Sequence, residues 1–463
     1  MASLKLQIEQ DSSISPSLRA AFELLLLVVT LLCNRLGLNS KNSSKPPSTD
    51  PNRTKNKAAT NKRKPGGQSG RQGKTLTQVE QPDRVKQLLL DKSTLPVGQY
   101  TQVGFEKRQV VDIEFNTVIT EYQAQVLRNE QGKRFVAEFP KGVKAAIQYG
   151  ASVKAHAVYL SQYQLLPYER ICEYFADQLN LPISSGSLYN FISDAFTRLQ
   201  DSKALDIIKQ QLKQAPVLNA DETGLNVNGE KYWLHTASSP KWTSFTLHKK
   251  RGQEGMDAGD ILPDYQGILC HDHWKPYFRY QCAHSLCNAH HLRELTRAHE
   301  QDQQQWAEDM HQFLLDVNRA VHQAGGALSL SEAEAIRKRY RALIQQGEKE
   351  CPEPDKEPGK RGRQKKSKAR NLLERLRDFE EEVLRFMVNP DVPFTNNQGE
   401  NDIRMTKVQQ KISGCFRSEL GGEMFCALRS YLLSCQKQDI MASTALNLLF
   451  SGHLPDIFVG GAE

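Results

Sequence analysis

The sequence predicts an α/β core between two helical regions, preceded by an N-terminal helix, a basic arm and a small β-rich module. Three observations predict it. First, "APVLNAD", "KYWLHTA", "TSFTLHK" and "QGILCHDHW" are four short apolar runs with turn residues between them, which is the texture of strands. Second, the stretches on either side carry apolar residues at helical spacing. Third, a polar stretch upstream has almost no large apolar residue and cannot bury a core of its own. A chain of 463 residues has room for roughly two to four domains.

The net charge is +8, which permits a nucleic-acid partner without establishing one. Nine cysteines are spread thinly along the chain. That argues against a disulfide framework and for free thiols in a reducing, cytoplasmic setting.

Residues 1–38 read as a helix. The run from Phe22 to Cys33, "FELLLLVVTLLC", contains Glu23 and is followed by Asn34 and Arg35. It falls well short of the roughly 20 apolar residues a membrane-spanning helix needs. Leu18, Leu25 and Leu32 recur every seven residues, with Phe22 and Val29 between them. This is the seam of a short coiled coil, either between copies of the chain or within an intramolecular helix pair.

Residues 39–80 form a basic arm, expected to be disordered alone. Arg53, Lys55, Lys57, Lys62, Arg63, Lys64, Arg71 and Lys74 lie in a Ser-, Asn-, Pro- and Gly-rich background. The arm is a solvated linker or, the preferred reading, a track for DNA phosphates, which needs no fold. Residues 81–144 hold the β-type runs "RQVVDIEF", "VITEYQAQVL" and "KRFVAEF", so a small β-rich module is expected there.

Residues 145–213 read as helical. Ile171, Tyr174, Phe175 and Leu179 share one helical face, and Ser184 or Ser185 can cap the next helix. The pair resembles a helix-turn-helix, although ordinary helical packing gives the same pattern. The four strands fall within 214–295. The first and fourth are the most continuously apolar, as buried central strands should be. Residues 296–390 are helical and charged, interrupted by the Pro/Gly/Lys-rich "EKECPEPDKEPGKRGRQKKSKAR". Residues 391–463 return to amphipathic helix.

Asp221 ends the first strand in this reading, and Asp272 ends the fourth. If these strands are neighbours, the two carboxylates meet at one sheet edge. Glu400 follows in "NNQGENDIRMTKVQQK", with Arg404, Lys407 and Lys411 on the same helical face. Acids at strand ends are commonly turn formers or caps. Three that converge from distant segments become tolerable only around cations. Oxygen ligands suit Mg²⁺ or Mn²⁺, and two such ions about 4 Å apart serve phosphodiester chemistry.

The motifs "NSSKPPSTD", "GGQSGRQG", "KGVKAAIQYG", "LNADETG", "HDHWKPY", "CNAHHLREL" and "NNQGENDIRMTKVQQKISGCFRS" occur in order along nearly the whole chain. In this the chain resembles the DDE transposases of the bacterial insertion-sequence family IS sixty-six. The resemblance implies an RNase H-like catalytic core with a helical insertion between the second Asp and the Glu. It also implies Asp221, Asp272 and Glu400 as catalytic metal ligands. A transposase would bind the terminal repeats of its element, cut at the ends and join the 3′-OH to target DNA. It would act as a homo-oligomer near the nucleoid, with small accessory proteins of the same element as further partners.

Two departures stand out. There is no Cys between Cys33 and Cys172, where the family commonly carries a zinc module, so zinc is not expected. Asn401 follows Glu400 where the family usually shows Arg. These changes keep open a DNA-binding repressor with a dead core; a nuclease that cuts without joining is a third reading.

Single residues have rival readings. Glu222 should face away from Asp221 in a supporting role, and His271 and His273 away from Asp272. A zinc hydrolase at "HDH" is the lesser reading. Cys282, Cys287, His290 and His291 are spaced loosely like a zinc site, against buried thiols beside a helix start. His290 and Arg293 are expected to line the active-site edge and touch DNA. Trp274 and Tyr277 are expected to pack. Lys249, Lys250 and Arg251 form a solvated turn or meet DNA.

Overall fold

The computed structural model describes residues 14–39, 41–43, 76–354 and 366–459. Helix α1, Pro16–Leu36, carries the N-terminal leucines. No described helix is long and apolar enough to cross a membrane. Leu18, Phe22, Leu25, Val29 and Leu32 are all exposed on α1, so the heptad seam has no partner within the described chain.

The β-type runs at 100–140 fold differently from the sequence reading. One hairpin forms, β1 (Val126–Arg128) against β2 (Arg134–Val136). The rest of 95–150 has no regular structure, and Val110, Val111, Ile113, Val118 and Ile119 stay in solvent. Strand propensity expresses itself only on a half-buried surface, and this segment has no second layer to bury against.

The helical region holds α2 (Ala151–Val158), α3 (Tyr168–Leu179), α4 (Ser185–Asp201) and α5 (Ala204–Lys213). Asn180 ends α3 in the left-handed conformation, and the Ser184 hydroxyl accepts the Ser187 amide to cap α4. Ile171 and Phe175 are buried as their spacing requires.

Five strands form the sheet: β3 (Val217–Val227), β4 (Glu230–Ser238), β5 (Thr243–His248), β6 (Ile268–His271) and β7 (Ala283–Leu286). Their order is β5-β4-β3-β6-β7. The first three pair antiparallel, whereas β6 joins β3, and β7 joins β6, in parallel. The first and fourth sequence runs are therefore neighbours, as the apolar pattern requires. β7, "AHSL", is a strand the sequence reading missed.

Each sheet face has its own helical layer. Leu218, Ala220 and Leu269 pack on one side with Leu199 and Leu212 and with Leu428, Tyr431 and Leu446. The last three lie on α13 (Glu419–Gln436) and α14 (Ala442–Phe450). Val217, Cys270 and Leu286 face the other way, against Trp306, Phe313, Tyr340 and Leu373. That layer is built from α7 (Asn288–Asp302), α8 (Gln305–Gln323), α9 (Leu330–Glu350), α10 (Lys368–Asp378) and α11 (Glu380–Leu384). A short α6, Gln253–Asp257, precedes β6. Helix α12, Asn397–Ser413, completes the set. Its Ile403 packs with Leu225, Val227, Leu234 and Phe245 of the sheet.

Candidate active site

Alternation along β3 sorts its side chains. Val217, Leu225 and Val227 face α12 and the insertion helices, whereas Leu218 and Ala220 face the opposite core. Asp221 shares parity with the first set and Glu222 with the second.

Asp221 does not end its strand. β3 pairs with β6 only over Val217–Asn219 and then runs on beside β4 to Val227. Asp221 thus stands where β3 leaves the end of β6 behind. The long strand has a reason: α12 is tied to it at both ends. At the start, the Asn396 side-chain amide donates to the Ala220 carbonyl at 2.7 Å and its oxygen accepts from Asn219 at 2.7 Å. At the far end, Phe416 exchanges backbone bonds with Asn226 and Asn228 at 3.1 and 2.7 Å. Gly399 permits the close approach, because a Cβ there would stand 3.3 Å from the Asn396 oxygen. Further along, Asp402 accepts from Ser238 (2.6 Å), Thr243 (2.9 Å) and Lys437 (2.6 Å), fixing the same helix to β4 and α13.

These restraints fix the position of Glu400, whose charge acts on Asp221. Asp272 follows β6 at once, and its Oδ1 accepts the Trp274 amide at 2.9 Å. Asp221 Oδ1 accepts the Glu222 amide at 2.9 Å. The Asp221 carboxyl is pushed up to about 8, first by burial, then by Glu222, and further by Glu400 and Asp272, against the Glu222 amide. A buried acid perturbed in this way, with further acids acting on it, marks a candidate site.

His290 and Arg293, from the first turns of α7, stand 4.0 and 3.9 Å from Glu400 Oε1. Burial, then Arg293, lowers the affinity of His290 for a proton; Glu400 and Asp272 raise it. Both residues sit at the site's edge.

Glu222 faces away from Asp221, as alternation requires. It is fully engaged by Tyr277 (2.6 Å) and by two bonds from Arg251 (2.7 and 3.0 Å). Arg251 in turn lies over the rings of Trp274 and Trp233, 4.2 and 4.9 Å from their centroids. Two expectations change here. Tyr277 is a hydrogen-bond donor as well as a packing residue, and Arg251 is a structural partner of Glu222 rather than part of a solvated turn. A buried carboxylate needs such partners; nothing in the local pattern pointed to Arg251.

His271 meets the His284 ring at 3.0 Å through Nε2 and the Asp272 backbone carbonyl, not its carboxylate, through Nδ1, and His273 lies against Phe379. Cys287 and His290 stand together, but Cys282 belongs to the core on the opposite sheet face and His291 faces Asn288 at 3.0 Å. The four-residue zinc set therefore does not assemble. On α12, Arg404 and Lys411 are exposed. Lys407 donates its ammonium to the Gly224 carbonyl, a bond to β3 that the sequence reading did not foresee. Arg63, Lys64 and Arg71 lie outside the described residues. Asn396 and Asn219 were missed as positioning residues; the paired Asn before Glu400 was the available signal.

Residues 3–77 match a family of unknown function, DUF6444. No curated protein sequence matches the chain. Residues 146–424, more than half of the chain and the whole of this site, match the Transposase IS66 family, and the chain belongs to that family.

Proposed function

We propose that the chain is a DDE transposase that binds the terminal repeats of its element, cleaves at the ends and joins the 3′-OH to target DNA. The observation that carries this reading is the buried Asp221 carboxyl on β3, raised by the charges of Asp272 after β6 and Glu400 on α12. The five-stranded mixed sheet around them supports an RNase H-like core.

The donor set fits hard divalent cations. Asp272 and Glu400 both act on the buried Asp221 carboxyl, and Glu400 Oε1 is buried without a hydrogen-bond partner. Asp221, Asp272 and Glu400 would hold Mg²⁺ or Mn²⁺, two ions in the full site. When bound, these ions lower the pKa of an attacking water or 3′-OH and neutralise charge on the scissile phosphate. The protein's part is placement. Asn396 and Asp402 hold α12, the helix that would present Glu400 to the aspartates. The Glu222–Arg251–Tyr277 cluster braces the segment that carries Asp272 from the opposite face. Arg293 and His290 at the rim, with Arg404 and Lys411 along α12, would meet the DNA backbone, and the basic arm with Arg63, Lys64 and Arg71 would add salt-sensitive affinity. Lys407 would join them only by releasing Gly224. The exposed apolar face of α1 supports a homo-oligomer. Accessory proteins of the element complete the assembly at the nucleoid.

The test is strand cleavage and joining on labelled element ends, with accessory proteins and Mg²⁺ or Mn²⁺. Wild type is expected to cut and join; Asp221→Asn, Asp272→Asn and Glu400→Gln are expected to do neither. End binding without chemistry would favour a repressor, and cutting without joining a nuclease. Activity surviving all three substitutions would place the active site elsewhere.

A further inference from the structure

Cys287 ends the β7 segment, His290 opens α7, and Glu400 opens α12. Their ligand atoms all lie within 4.8 Å of one another. His290 Nδ1 and Glu400 Oε1 are 4.0 Å apart and buried, and neither has a hydrogen-bond partner among the described residues. Buried polar atoms normally find partners, and each that does not costs about 1–3 kcal/mol. Two such atoms facing each other beside a thiol make a cradle for a cation, and Arg293, 3.9 Å from Glu400 Oε1, would yield that oxygen to it.

We propose that Cys287, His290 and Glu400 bind one thiophilic divalent cation of the Zn²⁺ class. The donors are one sulfur, one imidazole nitrogen and one carboxylate oxygen, a set that favours Zn²⁺ over Mg²⁺. Bonds of about 2.0–2.3 Å to a tetrahedral ion put ligand atoms about 3.3–3.7 Å apart. The three side chains must therefore close by about 1 Å, within reach of small rotations of His290 and Glu400. The thiol gives its proton to solvent on binding, and thiolate plus carboxylate then balance the ion's two charges. The Asn396 amide already donates to Cys287 Sγ at 3.1 Å and would support the thiolate. The fourth position is left for water.

The binding claim stands on these three side chains alone. Its consequence rests on the reading of Glu400 as catalytic: an ion held here takes Glu400 away from Asp221 and Asp272. Zn²⁺ would then inhibit the Mg²⁺-dependent reaction, with Glu400 shared between the two sites.

The experiment titrates the full chain, stripped of metal, with Co²⁺ as a spectroscopic probe and with Zn²⁺ in competition. Wild type should take up one equivalent and show a thiolate-to-cobalt charge-transfer band. Cys287→Ser should lose the band, and His290→Ala should weaken Zn²⁺ binding by at least about 100-fold, beyond what loss of a mere supporting residue costs. Asp221→Asn should keep the band. Co²⁺ binding without a thiolate band, Zn²⁺ affinity unchanged in Cys287→Ser, or loss of the band in Asp221→Asn would overturn the proposal. If Cys287→Ser does not fold, His290→Ala decides, because unchanged affinity there is equally fatal. A chain that binds Zn²⁺ with the band intact yet never acts on DNA would uphold the metal site and refute the transposase reading.

Discussion

Two regions of this chain carry similar β-type runs; one builds a five-stranded sheet and the other a single short hairpin. Val110, Val111, Ile113 and Val118 lie in a segment with no regular structure, and Val110 is 85% exposed. Leu218 and Leu269 lie in β3 and β6 and are fully buried. β-branched content does not explain the difference, since the exposed region is the richer of the two. They differ in what stands on either side. The residues of β3–β7 have helical layers on both faces, supplied by segments as distant as 145–213 and 419–450. A strand stabilised by such packing is an outcome of the whole chain, and propensity alone does not deliver it.

The comparison can be broken in several places. The largest effect is expected on chemistry: Asp221→Asn, Asp272→Asn and Glu400→Gln should each lower DNA strand cleavage by at least about 1,000-fold, while the folded chain stays intact by circular dichroism. Next, Leu218→Ala and Leu269→Ala should each destabilise the chain by about 2–5 kcal/mol in urea unfolding, whereas Ile113→Ala should fall within about 0.5 kcal/mol. Equal costs in the two regions would sink the contrast.

A third effect concerns acid. His235 is held at about 4, mainly by burial, against an ordinary value of 6.5. A histidine with a depressed folded value contributes stability that is present above its unfolded pKa and lost as pH falls toward the folded one. About 3 kcal/mol should therefore disappear between pH 6.5 and 4, and His235→Gln should flatten that part of the pH–stability curve. His271, held at about 3 by burial and then His284, adds to the same slope. A smaller effect, about 1–3 kcal/mol, is expected for Asn396→Ala, which removes its bonds to the Ala220 carbonyl and to Asn219. Its strand-cleavage rate should fall more than its stability does, because α12 loses its tie to β3 at the residue that sets Glu400.

Much of the core was legible. The four strand runs, the burial of the first and fourth, a Ser184 or Ser185 cap and the helix carrying Glu400 could be read because each leaves a local signal. The rest depended on distant partners. β7 is four residues long and contains His284 and Ser285, too short and too polar to show a pattern, and it becomes a strand only because β6 offers an open edge. Asp221 was placed at the end of its strand because Glu222, Thr223 and Gly224 look like a turn. The strand continues because β4 and the Phe416 segment pair with it. Arg251, expected in a solvated turn or on DNA, and Lys407, expected on DNA, are each bound to a group far away in sequence, Glu222 and the Gly224 carbonyl. Pairings of that kind leave no trace in local spacing. The runs at 100–140 failed for the opposite reason: the pattern was there, and the partner was not.

The central claim is that Asp221, Asp272 and Glu400 act as one metal site. It is tested most directly by titrating the full chain with Mn²⁺ and following free Mn²⁺ by electron paramagnetic resonance, in wild type and in the three single carboxylate variants. If the site is one, each substitution weakens the same binding events, and a double variant is little worse than a single. Mn²⁺ binding that is indifferent to the three residues, or lost in independent and additive steps, would contradict it.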